Sequence, residues 1–246
     1  MKKKILTLAL VIALLAIVVG GSLAYFTAED EVTNTFTIGS VSIEVYENNL
    51  PTADDVNPID EPLVPVVNMT APSTDDGYIE KAVKVLNDGL NDAYVRTHIA
   101  IPQALVGYLS LDLNLSDEGW KLVNITENVA NPEDDIVYTV YTYDYQVAVK
   151  PNTYTPDVLK GVYLNGIVDI KDNPATDSAD LEFCVPGENG SYNFSGFVAH
   201  NKVDGGYSTN IVNILVASQA IQAQGFTNGA TDALNSGFGA DTNPWA

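Results

Sequence analysis

Three pairs of neighbouring carboxylates are the residues best placed to do chemistry: Asp54-Asp55, Asp75-Asp76 and Asp134-Asp135. Each lies in a stretch that reads as loop, and loop carboxylates beside backbone carbonyls are the hard oxygen ligands calcium prefers. None follows the EF-hand spacing, so each pair reads first as solvated loop charge and only weakly as a calcium candidate. The two histidines, His98 and His200, do not occur in an H-E-x-x-H pattern, which removes the usual helical zinc-protease site. His98 alternates within a strand beside Arg96 and reads as a strand-face residue. Cys184 has no basic neighbour or helix N-terminus to lower its pKa, so it reads as a small buried side chain rather than a nucleophile activated by His200. There is no G-x-S-x-G elbow and no glycine-rich phosphate loop. No catalytic residue is assigned, and the expectation is a protein that is not an enzyme.

A different chemistry is written at the start of the chain. Lys2-Lys3-Lys4 precede an apolar run from Ile5 to Val19, and Gly20-Gly21-Ser22-Leu23-Ala24-Tyr25-Phe26 follows. Ser22 and Ala24 supply small residues at the −3 and −1 positions of a signal-peptidase site, with Tyr25 first in the mature chain. The domain reading is therefore a signal peptide over 1–24 and one domain over 25–246. The competing reading is a retained anchor, since an uncharged stretch of about 20 residues can span a bilayer. Five N-x-S/T sequons, at Asn68, Asn114, Asn124, Asn189 and Asn193, matter only where exported proteins are glycosylated.

The net charge of −21, before the leader's three lysines are removed, makes nucleic acid and anionic lipid poor partners. A single cysteine forbids an internal disulfide, so stability has to come from the core, from ions or from other copies of the chain. The hydrophobic content of 46% is too high for disorder, and 13 tyrosines with many Val, Ile and Thr favour strands.

The elements that would position these groups are strands. Thr35–Tyr46 alternates, with Gly39-Ser40 marking a break in register. Asn48–Pro62 is loop. Ile79–Leu86 places Ile79, Lys81, Val83 and Val85 on one face, and Ala93–Ile101 follows the turn signal Asn87-Asp88-Gly89. The two read as an antiparallel pair. Tyr108–Leu115 sets Leu109, Leu111, Leu113 and Leu115 on one face, and Trp120–Ile125 reads as the strand pairing back onto it. Ile136–Val149 is a long strand and Tyr192–Val203 a less regular one. Ile211–Ala223 fits strand or helix. Thr227–Phe238 reads as a short helix capped by Thr227, lined by Ala230, Ala233 and Leu234, and stopped at Gly237-Phe238-Gly239. Many strands and little helix predict an all-β, jelly-roll-like sandwich with a short C-terminal helix.

The stretch from Gly20 to Thr27, continued through Asn34-Thr35-Phe36-Thr37-Ile38-Gly39, resembles the leader and first strand of the TasA/camelysin (CalY) family, exported through a SipW-type signal peptidase. Glu80–Gly89 with Ala93-Tyr94-Val95-Arg96, and Ala220–Phe226 before the helix, fit the same group. The resemblance implies a secreted jelly-roll subunit of extracellular filaments in a biofilm matrix or on the cell surface. Its partners would be copies of itself and the signal peptidase, with no stable membrane anchor after cleavage. It also implies a donor strand, Tyr25 to about Ile38, which each subunit lends to the next. Tyr25, Phe26, Val32, Phe36 and Ile38 are its apolar residues. The family also carries a metalloprotease label. Two alternatives stand beside this reading: a monomeric surface-binding or adhesive domain, and a camelysin-like metallopeptidase.

Overall fold

The computed structural model describes residues 40–48, 50–51, 63–131, 135–176, 178–240 and 244–245. These fall in one compact unit that begins at Gly39. The described chain is built of antiparallel strands with one short C-terminal helix, as the alternating pattern predicts.

Three sheets make up the fold. The first contains β1 (Ile43–Glu47), β2 (Leu50–Pro51), β3 (Tyr78–Asn87), β5 (Leu109–Leu113) and β9 (Leu159–Leu164), in the order β2-β1-β3-β9-β5, with β8 (Thr153–Tyr154) paired to the end of β3. The second contains β4 (Ala93–Pro102), β6 (Trp120–Ala130), β7 (Val137–Tyr145) and β14 (Leu215–Gln222), in the order β14-β4-β7-β6. The third is a meander of β10 (Asp169–Asp172), β11 (Leu181–Pro186), β12 (Tyr192–Val203) and β13 (Gly206–Thr209).

The first two sheets face each other across one core. Ile79, Val83, Val85, Leu159 and Val162 come from the first sheet and Val95, Ile99, Trp120 and Tyr143 from the second. Trp120 is fully buried, and its indole Nε1 donates to the Pro156 carbonyl at 2.8 Å. Burying one such side chain contributes roughly 1.5–3 kcal/mol. The third sheet joins through a second cluster, in which Phe183 and Ala199 meet Ile101, Leu105, Leu109 and Leu164.

Two connections differ from the sequence reading in the same way. Ile79–Leu86 and Ala93–Ile101 do form strands, but β3 and β4 belong to different sheets and do not pair with each other. Trp120–Ile125 likewise begins β6 of the second sheet, while Leu109–Leu113 pairs with β9 of the first. Alternation tells which side of a strand is buried. Two strands that face each other across a core carry the same pattern as two that lie side by side. The first connection is held as a corner by Asn87, whose buried amide donates to the Asn91 and Val149 carbonyls and accepts from the Gly89 N–H. Gly89 is pressed against the chain entering β1. A Cβ there would lie 2.6 Å from the Ser40 carbonyl oxygen and 2.8 Å from the Ser42 nitrogen.

Smaller differences follow. The strand expected over Tyr108–Leu115 stops at Leu113, and Leu115 is exposed. Lys81 does share the face of Val83 and Val85, where it forms an ion pair with Glu47. Ile211–Ala223 resolves as the strand β14. The C-terminal helix runs Ala230–Phe238 and buries Ala230, Ala233 and Leu234 as expected, but its N-cap is Gly229 rather than Thr227. Gly229 sits at φ 97°, a conformation that side chains disfavour.

Candidate functional site

A sandwich offers unpaired backbone N–H and C=O groups only along its sheet edges, so those edges decide whether another strand can be added. The three sheets end in β2 and β5, in β14 and β6, and in β10 and β13. Most are blunted. β2 is two residues long and contains Pro51. β10 and β13 are four residues each, and β10 begins and ends with Asp. β5 has five residues, contains Asp112 and shifts register after it. β6 is long, but its ladder with β7 breaks twice, between Leu122 and Asn124 and between Thr126 and Val129. It also carries Lys121, Glu127 and an Asn128 with φ 59°.

The remaining edge, β14, has none of these devices. Its sequence, LVASQAIQ, holds no charge and no proline. It pairs with β4 without a register shift, from Leu215 opposite Ala100 to Gln222 opposite Ala93. Among the described residues it pairs on that side only. Every residue along it is half-buried. The side chains facing the core are Val216, Ser218 and Ala220, with Thr97 and Ser218 sharing a 2.9 Å hydroxyl hydrogen bond. Ile43, Val45 and Ile214 complete this half-covered flank of the core.

The opposite face of the second sheet is stitched to the C-terminal helix. Arg96 is fully buried, and its Nε and Nη2 donate to the two carboxylate oxygens of Asp144 at 2.7 and 3.0 Å. Nη1 donates to the Gly239 carbonyl and Nη2 also to Asn235 Oδ1, both at 2.7 Å. This pairing satisfies a buried charge that would otherwise be costly. His98 lies two residues along. Its Nε2 donates to Gln219 Oε1 of β14 at 3.2 Å and its Nδ1 meets the Thr142 hydroxyl at 3.0 Å. Burial, reinforced by Arg96, holds the His98 pKa below its ordinary value against the opposing pull of the Gln219 bond, so the ring is neutral at pH 7. Gly237 lets the helix come close to β14, since a Cβ there would reach 2.8 Å from Ile221 Cδ1.

The residues singled out from sequence are distributed unevenly. Ser22, Ala24, Tyr25, Phe26, Val32, Phe36 and Ile38 lie outside the described residues, as do Asp54, Asp55 and Asp134. Asp75 is described and works as a loop staple. Its carboxylate accepts the N–H groups of Val67, Asn68 and Gly77 at 2.8, 3.1 and 3.1 Å, and these bonds lower its pKa. Asp76 and Asp135 are exposed. Among the described residues no group of three His, Cys, Asp or Glu side chains is placed to hold a metal ion. Cys184 is buried and its thiol pKa is raised, chiefly by burial. His200 bonds the Thr209 hydroxyl at 3.1 Å. An open depression lined by Pro102, Gln103, Ala104, Asn128, Ile136, Val137, Gly196 and Phe197 contains no titratable side chain. Among the described residues no helix is long and apolar enough to cross a membrane.

Two features of this site were not legible beforehand. Arg96 within the strand stretch Ala93–Ile101, which also holds Thr97 and His98, signals a buried partner, but nothing local points to Asp144 or Asn235. The pairing partner of β14 is likewise set by the fold and not by its own residues.

The family model described as camelysin metallo-endopeptidase matches residues 1–65. This bears out the resemblance to the TasA/camelysin family over residues 1–65. No curated protein and no solved structure matches the chain.

Proposed function

We propose, starting from the camelysin-type match of residues 1–65, that this chain is an exported structural protein. In this reading the leader is removed after Ala24 and copies join outside the cell by donating residues 25–38. The matched region includes residues 22–38, where this reading puts the cleavage site and the donor segment. That single observation, together with a β-sandwich that keeps one regular edge unpaired among its described residues, carries the reading. An added strand gains ladder hydrogen bonds and sets alternate side chains into the partner's core. Donation from head to tail does not close on itself, so its product is a filament. Were the acidic pairs Asp54-Asp55, Asp75-Asp76 and Asp134-Asp135 to meet at such a joint they would repel one another, and calcium would screen or bridge them.

The test is deletion of Tyr25–Thr37 from the mature protein. The shortened protein is expected to keep its β-sheet circular dichroism and sediment as a monomer, while the full mature protein forms fibres visible by electron microscopy. Fibres formed as readily without the segment would sink the reading. The metallopeptidase reading is favoured only by the name of the matching family. Chelator-sensitive cleavage of a protein substrate, lost on replacing His98 and His200 together, would revive it.

A further inference from the structure

Resting on the strand-donation reading, we infer that the edge receiving the donated strand is β14, and that its occupant is the N-terminal segment of a second copy. Strand addition needs a run of backbone groups in phase, free of bulges, proline and charge. Among the described edges β14 alone provides one, with eight consecutive residues in unbroken register. Its core-facing side chains are small in the middle, Ser218 and Ala220, and the flank beside them is only half covered by Ile43, Val45 and Ile214. A strand laid there would cover side chains that are only partly buried. Laid down as a strand, the sequence Thr35-Phe36-Thr37-Ile38 would put Phe36 and Ile38 on one side and two threonines on the other.

The chain outside the described fold suits this occupant in length and in origin. At roughly 3.3 Å per residue, residues 25–38 reach about 45 Å, longer than an eight-residue edge. The chain leaves the described fold at Ser40, whose carbonyl accepts the Leu90 N–H at 3.0 Å. Leu90 adjoins Asn91, whose amide bonds Gln222 Oε1 at 3.0 Å, so the donor is rooted at the Gln222 end of β14. The root lies beside one end of the receiving edge, so exchange between copies would pass the segment from each molecule to the β14 of the next. The docked strand would extend the second sheet beyond β14 and cover the half-open flank of the core.

The experiment uses the mature chain, residues 25–246. Hydrogen exchange is compared between monomer and polymer, and polymer mass is measured for Val216→Lys, Ala220→Lys and, on the other edge of the same sheet, Ile125→Lys. The expected result is slowing of β14 amide exchange by tenfold or more on polymerisation, with β6 unchanged. Val216→Lys and Ala220→Lys are expected to lower polymer mass at least tenfold while leaving the melting transition cooperative, and Ile125→Lys to leave polymer mass unaltered. Polymers in which β14 exchanges as fast as in the monomer would overturn the assignment and leave strand donation standing. That measurement is made on the unsubstituted protein and holds even where a lysine variant fails to fold. Normal polymers from folded β14 variants would overturn it in the same way. A mature chain that stays monomeric, with β14 already protected by its own N-terminal segment, would overturn strand donation itself.

Discussion

β14 and β6 close the two ends of one sheet, each one strand away from the central β4–β7 pair, yet they present opposite surfaces to a neighbour. β6 is the longer and shows more apolar side chain, with Leu122 38% and Ile125 48% exposed. Its backbone, however, falls out of phase at two bulges and carries Lys121 and Glu127. β14 hides more of its side chains but keeps an unbroken, uncharged ladder. Regular backbone spacing decides whether another strand fits, and bulges defeat it even where apolar side chains are present.

The comparison can be broken most forcefully through Arg96. It lies opposite Gln219 of β14 and ties the second sheet to Asp144 and the C-terminal helix. Arg96→Ala leaves Asp144 buried without its partner and is expected to cost about 3–5 kcal/mol. The loss is read as a lower melting temperature, with amide exchange rising more in β14 than in β6. Replacing both members, Arg96→Met with Asp144→Leu, is expected to recover most of the loss, because the desolvation penalty leaves with the charges.

A smaller effect comes from acid. The folded-state pKa of His98 is held below its ordinary value of 6.5. Above that value the ring is neutral in both states and its contribution is complete. As pH falls below it, the unfolded chain takes up a proton that the folded chain resists, so stability declines with acidification. Chemical denaturation between pH 7 and 5 should show this decline, and His98→Gln should flatten it. An equally steep decline in the variant would assign the pH dependence to other groups.

The finest test asks whether charge or bulge protects β6. Lys121→Thr with Glu127→Thr removes the charges and leaves the two register shifts in place. Stability should change by no more than about 0.5 kcal/mol, as for ordinary surface replacements. Sedimentation should detect no new association. Self-association through β6 in this variant would show that charge, and not backbone geometry, sets the contrast with β14.

The strands themselves were largely legible, because burial of one side of a sheet imposes a two-residue period. Tyr78–Asn87, Ala93–Pro102 and Val137–Tyr145 follow the alternation of Val, Ile and Tyr closely. Strand neighbours were not legible. The pattern around Asn87-Asp88-Gly89 suits a hairpin, and only the buried Asn87 amide and the press of Gly89 on Ser40 turn the chain to the other sheet. β14 was hidden for a related reason. Leu215–Gln222 alternates weakly since its small residues occupy an edge, where burial is partial on both faces. The helix face Ala230, Ala233 and Leu234 could be read from spacing, whereas its link to Arg96 spans most of the chain and leaves no local trace.

The docking of Ser40 and Ser42 against Gly89 and Leu90 has a mechanical consequence. Tension applied to the chain ahead of Ser40 enters the described fold at the β3–β4 corner, through the Leu90-to-Ser40 and Gly89-to-Ser42 amide bonds and then the β1–β3 ladder. A pull directed along the strand loads those rungs in shear, all together, instead of peeling them one after another. The corner joins β3 of the first sheet to β4 of the second, so strands of both sheets lead away from the point of entry. Such an attachment resists stretching far better than a terminus tethered to a single loop.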